Sequence, residues 1–291
     1  MNKLNNITSY LAYPFVIVAV FTIHTVLANF GFDLLLSTYI PVIVAGLMIY
    51  GLEIFIPYRN SWNPSSVEVK NDLFYMSLVQ VLLPIFLSFF ISVTLITYIH
   101  VNNVNILHIW PSHLPNYIQA LLMLLIADFF RYWLHLFSHK WNFLWKLHSV
   151  HHSSSKLYWI NVARFHPLEK VLQFIFDVLP FIILGLGQDV LALYFIFYAT
   201  NGFFQHSNIE LKLGFLNYVI SGPELHRWHH SVLIGESNQN FGNNLIVWDL
   251  LFDTWFLPEN KEVGLLGLEN KDYPNDFINQ MKAPFFDKSE Y

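Results

Sequence analysis

Long apolar stretches separated by short polar ones dominate the first half of the chain. A helix that crosses a bilayer needs about 20 predominantly apolar residues. Four segments meet this requirement, at residues 10–30, 34–56, 73–99 and 115–134. The pattern therefore predicts four transmembrane helices. The first is too long for a signal-peptide core and lacks a small-residue cleavage site, so we expect it to be retained.

Two shorter apolar segments follow, at residues 171–186 and 190–204. Only Gly187, Gln188 and Asp189 separate them, which predicts a tight helical hairpin that either crosses the membrane or enters it part-way. No repeat of solenoid period appears and no low-complexity linker divides the chain. The predicted fold is a single all-α integral membrane domain with four transmembrane helices and a membrane hairpin.

The composition agrees with a membrane protein and excludes several functions. Of the 291 residues, 55% are apolar and 12% are charged, against about 25% charged in a typical soluble domain. The net charge is −5 without a basic patch, so a nucleic-acid partner is not expected. Cysteine is absent, which excludes thiolate metal sites, disulfides and cysteine nucleophiles.

The basic residues predict the orientation of the helices. If the N-terminus is cytoplasmic, the external loops are residues 31–33, residues 100–114 and the hairpin tip near Gly187. None of the 15 Lys and Arg residues lies in these loops. Because cytoplasmic loops carry the Lys/Arg excess, we expect the N-terminus to be cytoplasmic.

Eight of the 14 histidines form three tight clusters. The motif His-x-x-His-His occurs twice, and a pair spaced by four residues precedes the first copy. The eight are His135, His139, His148, His151, His152, His226, His229 and His230. All of them map to the predicted cytoplasmic face, and imidazole is the commonest metal ligand among side chains. The pattern predicts a histidine-rich metal centre there, whereas His24, His100, His108 and His113 lie elsewhere and are assigned no metal role.

Helix geometry indicates how these ligands would converge. Residues spaced i, i+3 and i+4 share one side of a helix, so each motif would present its three imidazoles together. Eight imidazoles exceed what one ion needs, which favours two metals, and an imidazole set suits Fe, Zn or Cu. Asp128 lies at membrane depth, where a carboxylate is usually paired. It is a candidate both for an ion pair with Arg131 and for orienting a ligand histidine, and the two roles are compatible.

The ordered motifs extend beyond the histidines. They include Ala127-Asp128, Arg164-Phe-His-Pro-Leu-Glu169, Gln205-His206-Ser-Asn208, Asn240-Phe-Gly242 and Trp248-Asp249-Leu-Leu-Phe252. Together with the histidine clusters and the hairpin, this set resembles the membrane-bound fatty acid hydroxylase/sterol desaturase superfamily over residues 115–257. Asp253 departs from the family pattern, because many members have a glycine there, which often supplies a positive φ.

The resemblance implies a di-iron oxygenase in which a cytosolic helical cap holds two iron ions over the membrane helices. A lipid substrate would enter from the bilayer, O2 would be activated at the metals, and an external donor would supply electrons. The implied ligands are the eight clustered histidines and His206, and the residues that could orient ligands are Asp128, His166 and Asp249. On this basis the chain divides into a transmembrane region (1–114), a catalytic region (115–257) and a polar cytosolic tail (258–291), loosely ordered from residue 271.

The expected reaction is hydroxylation or desaturation of a lipid such as a fatty acyl chain or a sterol. Two other functions stay open. One is pterin-dependent cleavage of alkylglycerol ether lipids on the same type of site. The other is a membrane metal transporter or sensor, which would need ionisable ligands along a path through the spans. The sequence leaves open the substrate, the electron donor and the oligomeric state.

Overall fold

The computed structural model describes residues 3–102 and 109–286 of the chain. Within these ranges the protein is helical, and strand-like pairing is limited to three isolated bridges. The predicted all-α fold is confirmed. His108 lies outside the described residues.

The first two helices form an antiparallel pair at the N-terminus. They are α1 (Lys3–Asn29) and α2 (Leu34–Phe55), and they pack against each other. The turn between them contains Gly31 at a φ of +82°, a conformation that favours glycine. Asp33 then caps α2 by accepting a hydrogen bond from the backbone N–H of Leu36.

The third span is one continuous helix made of three parts. The α-helical parts, α3 (Ser66–Phe74) and α4 (Leu83–Asn102), flank a π-helical segment at Tyr75–Leu82. Pro84 is the second residue after this segment, and its nitrogen has no hydrogen to donate to the preceding turn. The wider π-helical winding therefore occurs where regular α-helical bonding is already interrupted.

The fourth long helix, α5 (Asn116–Lys140), is followed at once by α6 (Asn142–His152), which packs back against it. Four stretches are long and apolar enough to cross a membrane: Asn6–Asn29, Leu34–Phe55, Ser66–Ile91 and Asn116–Lys140. They overlap the four predicted spans. Large apolar side chains on their outer surfaces are exposed, as lipid-facing side chains would be. The chain has the architecture of an integral membrane protein.

The predicted hairpin is also helical, but its first arm is broken. It consists of α7 (Pro167–Asp177), α8 (Leu179–Ile183) and α9 (Gln188–His206). The break at Val178 precedes Pro180, which cannot donate a backbone hydrogen bond to the turn before it. Neither arm is among the four stretches of spanning length and composition. The longer arm, α9, packs against both α2 and α5.

Helix α7 has its polar side chains inside and apolar ones outside. Its buried polar residues are Glu169, Lys170, Gln173 and Asp177. On the opposite side, Leu168, Ile175 and Phe176 are exposed. This polarity is the reverse of that of a helix on the surface of a soluble protein, and it suits a helix whose outer face contacts lipid.

The C-terminal part of the chain covers the histidine-bearing end of the bundle. It contains the short helices α10 (Pro223–His229), α11 (Ile234–Ser237) and α12 (Val247–Leu251), followed by α13 (Phe277–Phe286). The expectation of a loosely ordered tail from residue 271 is wrong for its described part. Gln280 is fully buried and forms hydrogen bonds with both Tyr75 and Ser153. These bonds anchor α13 to the third span and to the C-terminal end of α6, so the segment is ordered despite its polar composition.

Candidate metal centre

Two consecutive helices carry the first five histidines of the site. His135 and His139 occupy the last turns of α5, separated by one helical turn. Trp141 then adopts an extended conformation that redirects the chain into α6. The last two turns of α6 present His148, His151 and His152, all of them buried. The predicted helical presentation of this motif is confirmed.

The remaining four histidines come from the end of the hairpin and from α10. His206 is the last residue of α9, and Pro223 begins α10 at a position where its missing N–H is not needed. Helix α10 carries His226 and His229, and His230 is its C-terminal cap. All nine histidines that the sequence analysis selected as ligands therefore meet in one place.

The nine histidines form two groups, each with one imidazole nitrogen per residue within 4.8 Å of the others. The five-histidine group is His135, His139, His148, His152 and His229. The four-histidine group is His151, His206, His226 and His230. Neither group contains His24, whose Nδ1 contacts the Ser37 carbonyl, nor the exposed His113. The side chain of His100 is not among those described.

Each His-x-x-His-His motif is shared between the two groups. In the first motif, His148 and His152 join the five-histidine group, and His151 joins the four-histidine group. The second motif reverses this pattern, because its first and last histidines join the four-histidine group while His229 joins the other. Residues at i and i+4 thus go to one group and the residue at i+3 to the other. The two motifs build two interleaved sites.

Inside each group the Nε2 atoms approach one another closely. The Nε2 atoms of His135 and His148 are 3.0 Å apart, and those of His152 and His229 are 3.1 Å apart. In the four-histidine group, the Nε2 atom of His226 lies 3.1 Å from those of His206 and His230. Nitrogen ligands about 2.0–2.1 Å from a common ion come about this close to each other.

Six of the histidines donate Nδ1–H to an acceptor outside the group, and this fixes the orientation of each ring. Backbone carbonyls accept from three of them: Phe241 from His135, Arg164 from His151 and Gln239 from His229. Side chains accept from the other three: Asn238 from His139, Glu169 from His148 and Asn161 from His206. With the proton on Nδ1, a neutral imidazole points the lone pair of Nε2 at the centre of its group.

Burial keeps these rings neutral. It lowers the pKa of His151 to about 3 and that of His229 to about 4, and it holds the pKa values of His148, His152 and His226 well below the ordinary value. Neighbouring imidazoles lower several of these values further. The contact between His148 and Glu169 is therefore a hydrogen bond from a neutral ring to a side-chain oxygen of Glu169, whose own pKa burial raises to about 8. Neutral imidazole is the form that binds metals.

The donor atoms fit a bound cation. His135 and His148 both use Nδ1–H outside the group, so two Nε2 lone pairs face each other across 3.0 Å without a proton between them. The Nε2 atom of His139 is buried with no hydrogen-bond partner. Buried polar atoms are rarely left unpaired, and facing lone pairs repel. A metal ion within the group satisfies all of these atoms.

The three residues expected to orient ligands have other contacts. Asp128 accepts hydrogen bonds from the backbone of Asn244 and Leu245 and from the side chain of Asn244, and none of its described hydrogen bonds involves a histidine. Its proposed ion pair with Arg131 is wrong, because the Arg131 guanidinium faces Asp177 at 3.6 Å. Asp128 instead anchors the loop between Phe241 and α12 to α5.

Asp249 and His166 act on the surrounding loops. Asp249 accepts hydrogen bonds from the backbone N–H groups of Phe241 and Gly242, and the Phe241 carbonyl in turn accepts from His135. His166 caps α7 by accepting from the Leu168 N–H and lies in neither histidine group. The departure at Asp253 is accommodated, since this residue adopts the positive φ, +58°, that a glycine would supply.

Sequence reasoning missed the role of Glu169. Glu169 lies within a motif shared with the family, and it is the only carboxyl group among the six described acceptors from the clustered histidines. Asn161 has a comparable role, because its side-chain oxygen accepts from the Nδ1–H of His206. The sequence does contain a signal for this role. Four polar residues, Glu169, Lys170, Gln173 and Asp177, recur on one face of α7, the first and otherwise apolar arm of the hairpin.

Gly242 is required by the packing of the loop that supports His135. A Cβ atom there would lie 2.4 Å from the Leu245 carbonyl oxygen and 2.8 Å from Oδ2 of Asp249. We expect Gly242→Ala to displace this loop and to destabilise the fold by about 1–3 kcal/mol. The unfolding temperature and the metal content of Gly242→Ala should both fall. Gly235→Ala is the control, because a Cβ atom there meets nothing within 4 Å, and it should change neither quantity. Equal behaviour of the two variants would contradict this account.

A cavity of about 430 Å³ extends from the histidines into the helical bundle. At its inner end it is lined by histidines of both groups, including His135 and His206. Apolar residues of α2, the third span and α9 form most of the remaining wall, among them Ile43, Val81 and Phe203. The cavity therefore joins the histidine cluster to the membrane-embedded part of the protein, as an enzyme acting on a lipid requires.

The helical membrane fold, the nine converging histidines and the cavity define a membrane protein with a buried histidine cluster able to hold metal ions. The fatty acid hydroxylase family model matches residues 120–254. The ornithine lipid hydroxylase OlsE of Rhizobium tropici is 32% identical over 237 residues, which cover 80% of this chain and 71% of that protein. The chain belongs to the fatty acid hydroxylase/sterol desaturase superfamily.

Alkylglycerol monooxygenases form a second set of relatives. The protein from Xenopus tropicalis is 32% identical over 143 residues, 49% of this chain and 31% of its own length. The human protein is 30% identical over 177 residues, 60% of this chain and 38% of its own length. The chain thus spans roughly a third of the alkylglycerol monooxygenases it matches. No solved structure matches the chain. These relatives are lipid hydroxylases and monooxygenases, so the chain is an oxidoreductase that acts on a lipid.

Proposed function

We propose that the chain is a di-iron lipid hydroxylase whose two metals are held by the two histidine groups. The observation that carries this proposal is the partition of nine buried imidazoles into two sets of converging Nε2 atoms. The ligands would be His135, His139, His148, His152 and His229 for one ion and His151, His206, His226 and His230 for the other. A family known for iron use favours iron over zinc or copper, which imidazoles also bind.

The bound iron would supply O2 activation and the removal of hydrogen from an unactivated C–H bond. One oxygen atom of O2 would enter the lipid, and the other would leave as water with two electrons and two protons from a donor. The protein's own residues set the geometry. Glu169, Asn161 and Asn238 orient three imidazoles, while the apolar cavity wall excludes water and holds the lipid chain beside the histidines.

The similarity to an ornithine lipid hydroxylase makes ornithine lipid the first substrate to test. Alkylglycerol with tetrahydropterin is the second, because alkylglycerol monooxygenases match 49% and 60% of this chain at similar identity. A transporter or sensor is not favoured. The nine histidines cluster at one end of the bundle, whereas a transport path would place ligands along the spans.

We further propose that the active site and the N-terminus face the cytoplasm, since the Lys and Arg residues fall on that side of the chain. There an external electron donor, either a reductase or a small redox carrier, would reach the histidine-bearing end directly.

The test uses the purified full chain in detergent or nanodiscs. We expect about two iron ions per chain and O2 consumption after chemical reduction in the presence of ornithine lipid. Mass spectrometry should show a product heavier by one oxygen atom. Turnover of alkylglycerol only when tetrahydropterin is added would favour the second candidate. A protein that binds two irons yet consumes no O2 with either lipid would contradict the proposed function.

A further inference from the structure

Five buried side chains between α5, α7 and α9 carry polar atoms that have no hydrogen-bond partner. These atoms are Nε and Nη1 of Arg131, Oε2 of Glu169, Oε1 of Gln173, Oδ1 of Asp177 and the hydroxyl of Tyr194. Asp177, Glu169 and Tyr194 are close enough to interact electrostatically with Arg131, and Gln173 donates a hydrogen bond to Glu169. Leaving such atoms unpaired inside a protein is costly. The cluster therefore has the character of a site that a polar ligand completes.

The cluster lies where two cavities adjoin. Arg131, Glu169 and Gln173 line the 430 Å³ cavity that reaches the histidines. Asp177 and Tyr194 line a second cavity of about 640 Å³ between α2, α4 and the hairpin. Gln80 and Tyr198 line both cavities, so the two share a wall. A lipid that occupied both would pass its polar group across this cluster.

The donors and acceptors of the cluster indicate the kind of ligand. Arg131 supplies unpaired donors, whereas Glu169, Gln173 and Asp177 supply unpaired oxygens. An anionic phosphate brings only acceptors and would leave those oxygens unpaired, and an alkyl chain would leave every polar atom unpaired. A group that is neutral overall but has both donors and acceptors satisfies the set. Its acceptors would meet Arg131, and its donors would meet the oxygens of Asp177, Glu169 and Gln173.

We infer that this cluster binds the polar group of the substrate lipid, and that this group is zwitterionic or otherwise net-neutral with both hydrogen-bond donors and acceptors. The inference deepens the proposed function and rests on it, because the bound lipid is the substrate only if the chain is a lipid hydroxylase. Its geometric core is Glu169, whose Oε1 accepts from His148 at 2.7 Å while Oε2 is unpartnered. One carboxylate thus joins the polar subsite to the histidines.

This junction has a consequence for the position of oxidation. A polar group held at Glu169 is one side chain away from a ligand histidine. The C–H bond presented to the histidine groups must then lie within a few bonds of the polar group. The hydroxyl is expected there, and not at the far end of the acyl chain.

Binding can be measured without turnover by native mass spectrometry of the metal-loaded protein under anaerobic conditions. The probes are N-palmitoyl-lysine, which is zwitterionic, palmitic acid, which is anionic, and methyl palmitate, which is uncharged and offers only acceptors. All three have the same acyl chain. We expect the wild-type protein to bind N-palmitoyl-lysine at least about tenfold more tightly than the other two, as charge-assisted hydrogen bonds predict.

Two variants remove parts of the subsite. Asp177→Asn should abolish most of this preference. Tyr194→Phe should weaken N-palmitoyl-lysine binding by about two- to tenfold without lowering thermal stability, because the hydroxyl has no partner to lose in the free protein. Binding of methyl palmitate should stay unchanged in both. The matched control is Asp189→Asn, the same substitution at an exposed position of the same hairpin.

Equal binding of the three lipids to the wild-type protein would overturn the inference. A variant that weakens the binding of all three lipids equally would also overturn it, because a residue with a purely structural role is expected to behave in this way. Iron content and O2 consumption of the same preparation test the proposed function separately. Tandem mass spectrometry of any product then locates the hydroxyl, and a position near the methyl end of the chain would contradict the placement of the polar group.

Discussion

Replacing His229 or His151 with alanine is expected to abolish lipid hydroxylation and to remove about one metal ion per chain in each case. His229 belongs to the five-histidine group and His151 to the four-histidine group, so each substitution disrupts one site. Both side chains are buried, and alanine leaves a cavity without a nitrogen donor. Metal content by elemental analysis and hydroxylation by mass spectrometry are the measurements. His113→Ala is the matched control, because His113 is exposed and lies in neither group.

The interleaving of the motifs makes this experiment more specific. His148 and His151 belong to one His-x-x-His-His motif but to different groups. The double variant of His148 and His229 should therefore spare the four-histidine site, whereas the double variant of His148 and His151 should damage both sites. Retention of two metals and full activity in the single variants would show that these residues are not ligands. Complete metal loss in every single variant would show that the two sites do not fill independently.

Removing the Glu169 carboxylate is expected to have the second largest effect. Glu169→Ala leaves the Nδ1–H of His148 without its acceptor, which frees the ring to rotate and lowers the basicity of Nε2. Loss of such an acceptor typically lowers metal affinity by about 10–100-fold. Glu169→Gln keeps an acceptor oxygen without the charge and should lie between wild type and alanine. Metal titration of the protein after chelator treatment measures all three affinities.

Two controls separate this orienting role from a general loss of charge. Glu259→Ala removes an exposed carboxylate and should bind metal as the wild type does. Glu169→Ala should also recover metal content at high iron concentration, because the ligands themselves stay intact. If Glu169→Ala bound metal as tightly as the wild type, Glu169 would not be the residue that orients His148.

The spans and the set of converging histidines follow from the sequence because each depends on local chemistry. An apolar stretch of sufficient length forms a helix in a membrane regardless of its neighbours. Histidines at i, i+3 and i+4 lie on one side of a helix whatever the helix packs against, so His148, His151 and His152 were bound to point the same way. All nine selected residues consequently meet in the structure.

The sharing of each motif between two groups could not be predicted in this way. It depends on how α6 and α10 face each other, which brings His229 to His152 and His230 to His151. The acceptor role of Glu169 depends likewise on the rotation of α7 about its axis. The sequence suggested that Arg131 pairs with Asp128, because the two are neighbours on one helix. In the structure Arg131 faces Asp177 on the hairpin, and Asp128 accepts a hydrogen bond from the loop at Leu245.

The order of the C-terminal segment also depends on packing that the sequence does not reveal. Its polar composition predicted loose order, yet Gln280 is buried and bonds Tyr75 and Ser153. A polar residue can anchor a segment as firmly as an apolar one when its partners are themselves buried. Composition reports how many polar groups a segment has, whereas packing decides where they find partners.

The inside-out polarity of α7 has a consequence for how the protein is made. Arg131 lies within a stretch of spanning length, and its counter-ion Asp177 is synthesised only later, on the hairpin. Until α7 docks, the bilayer around α5 would have to accommodate an unpaired guanidinium, which is expensive. We therefore expect α5 and the hairpin to leave the insertion machinery together as one unit. A ribosome-stalled chain that ends before Asp177 should fail to integrate α5 stably, and restoring the hairpin should rescue its insertion.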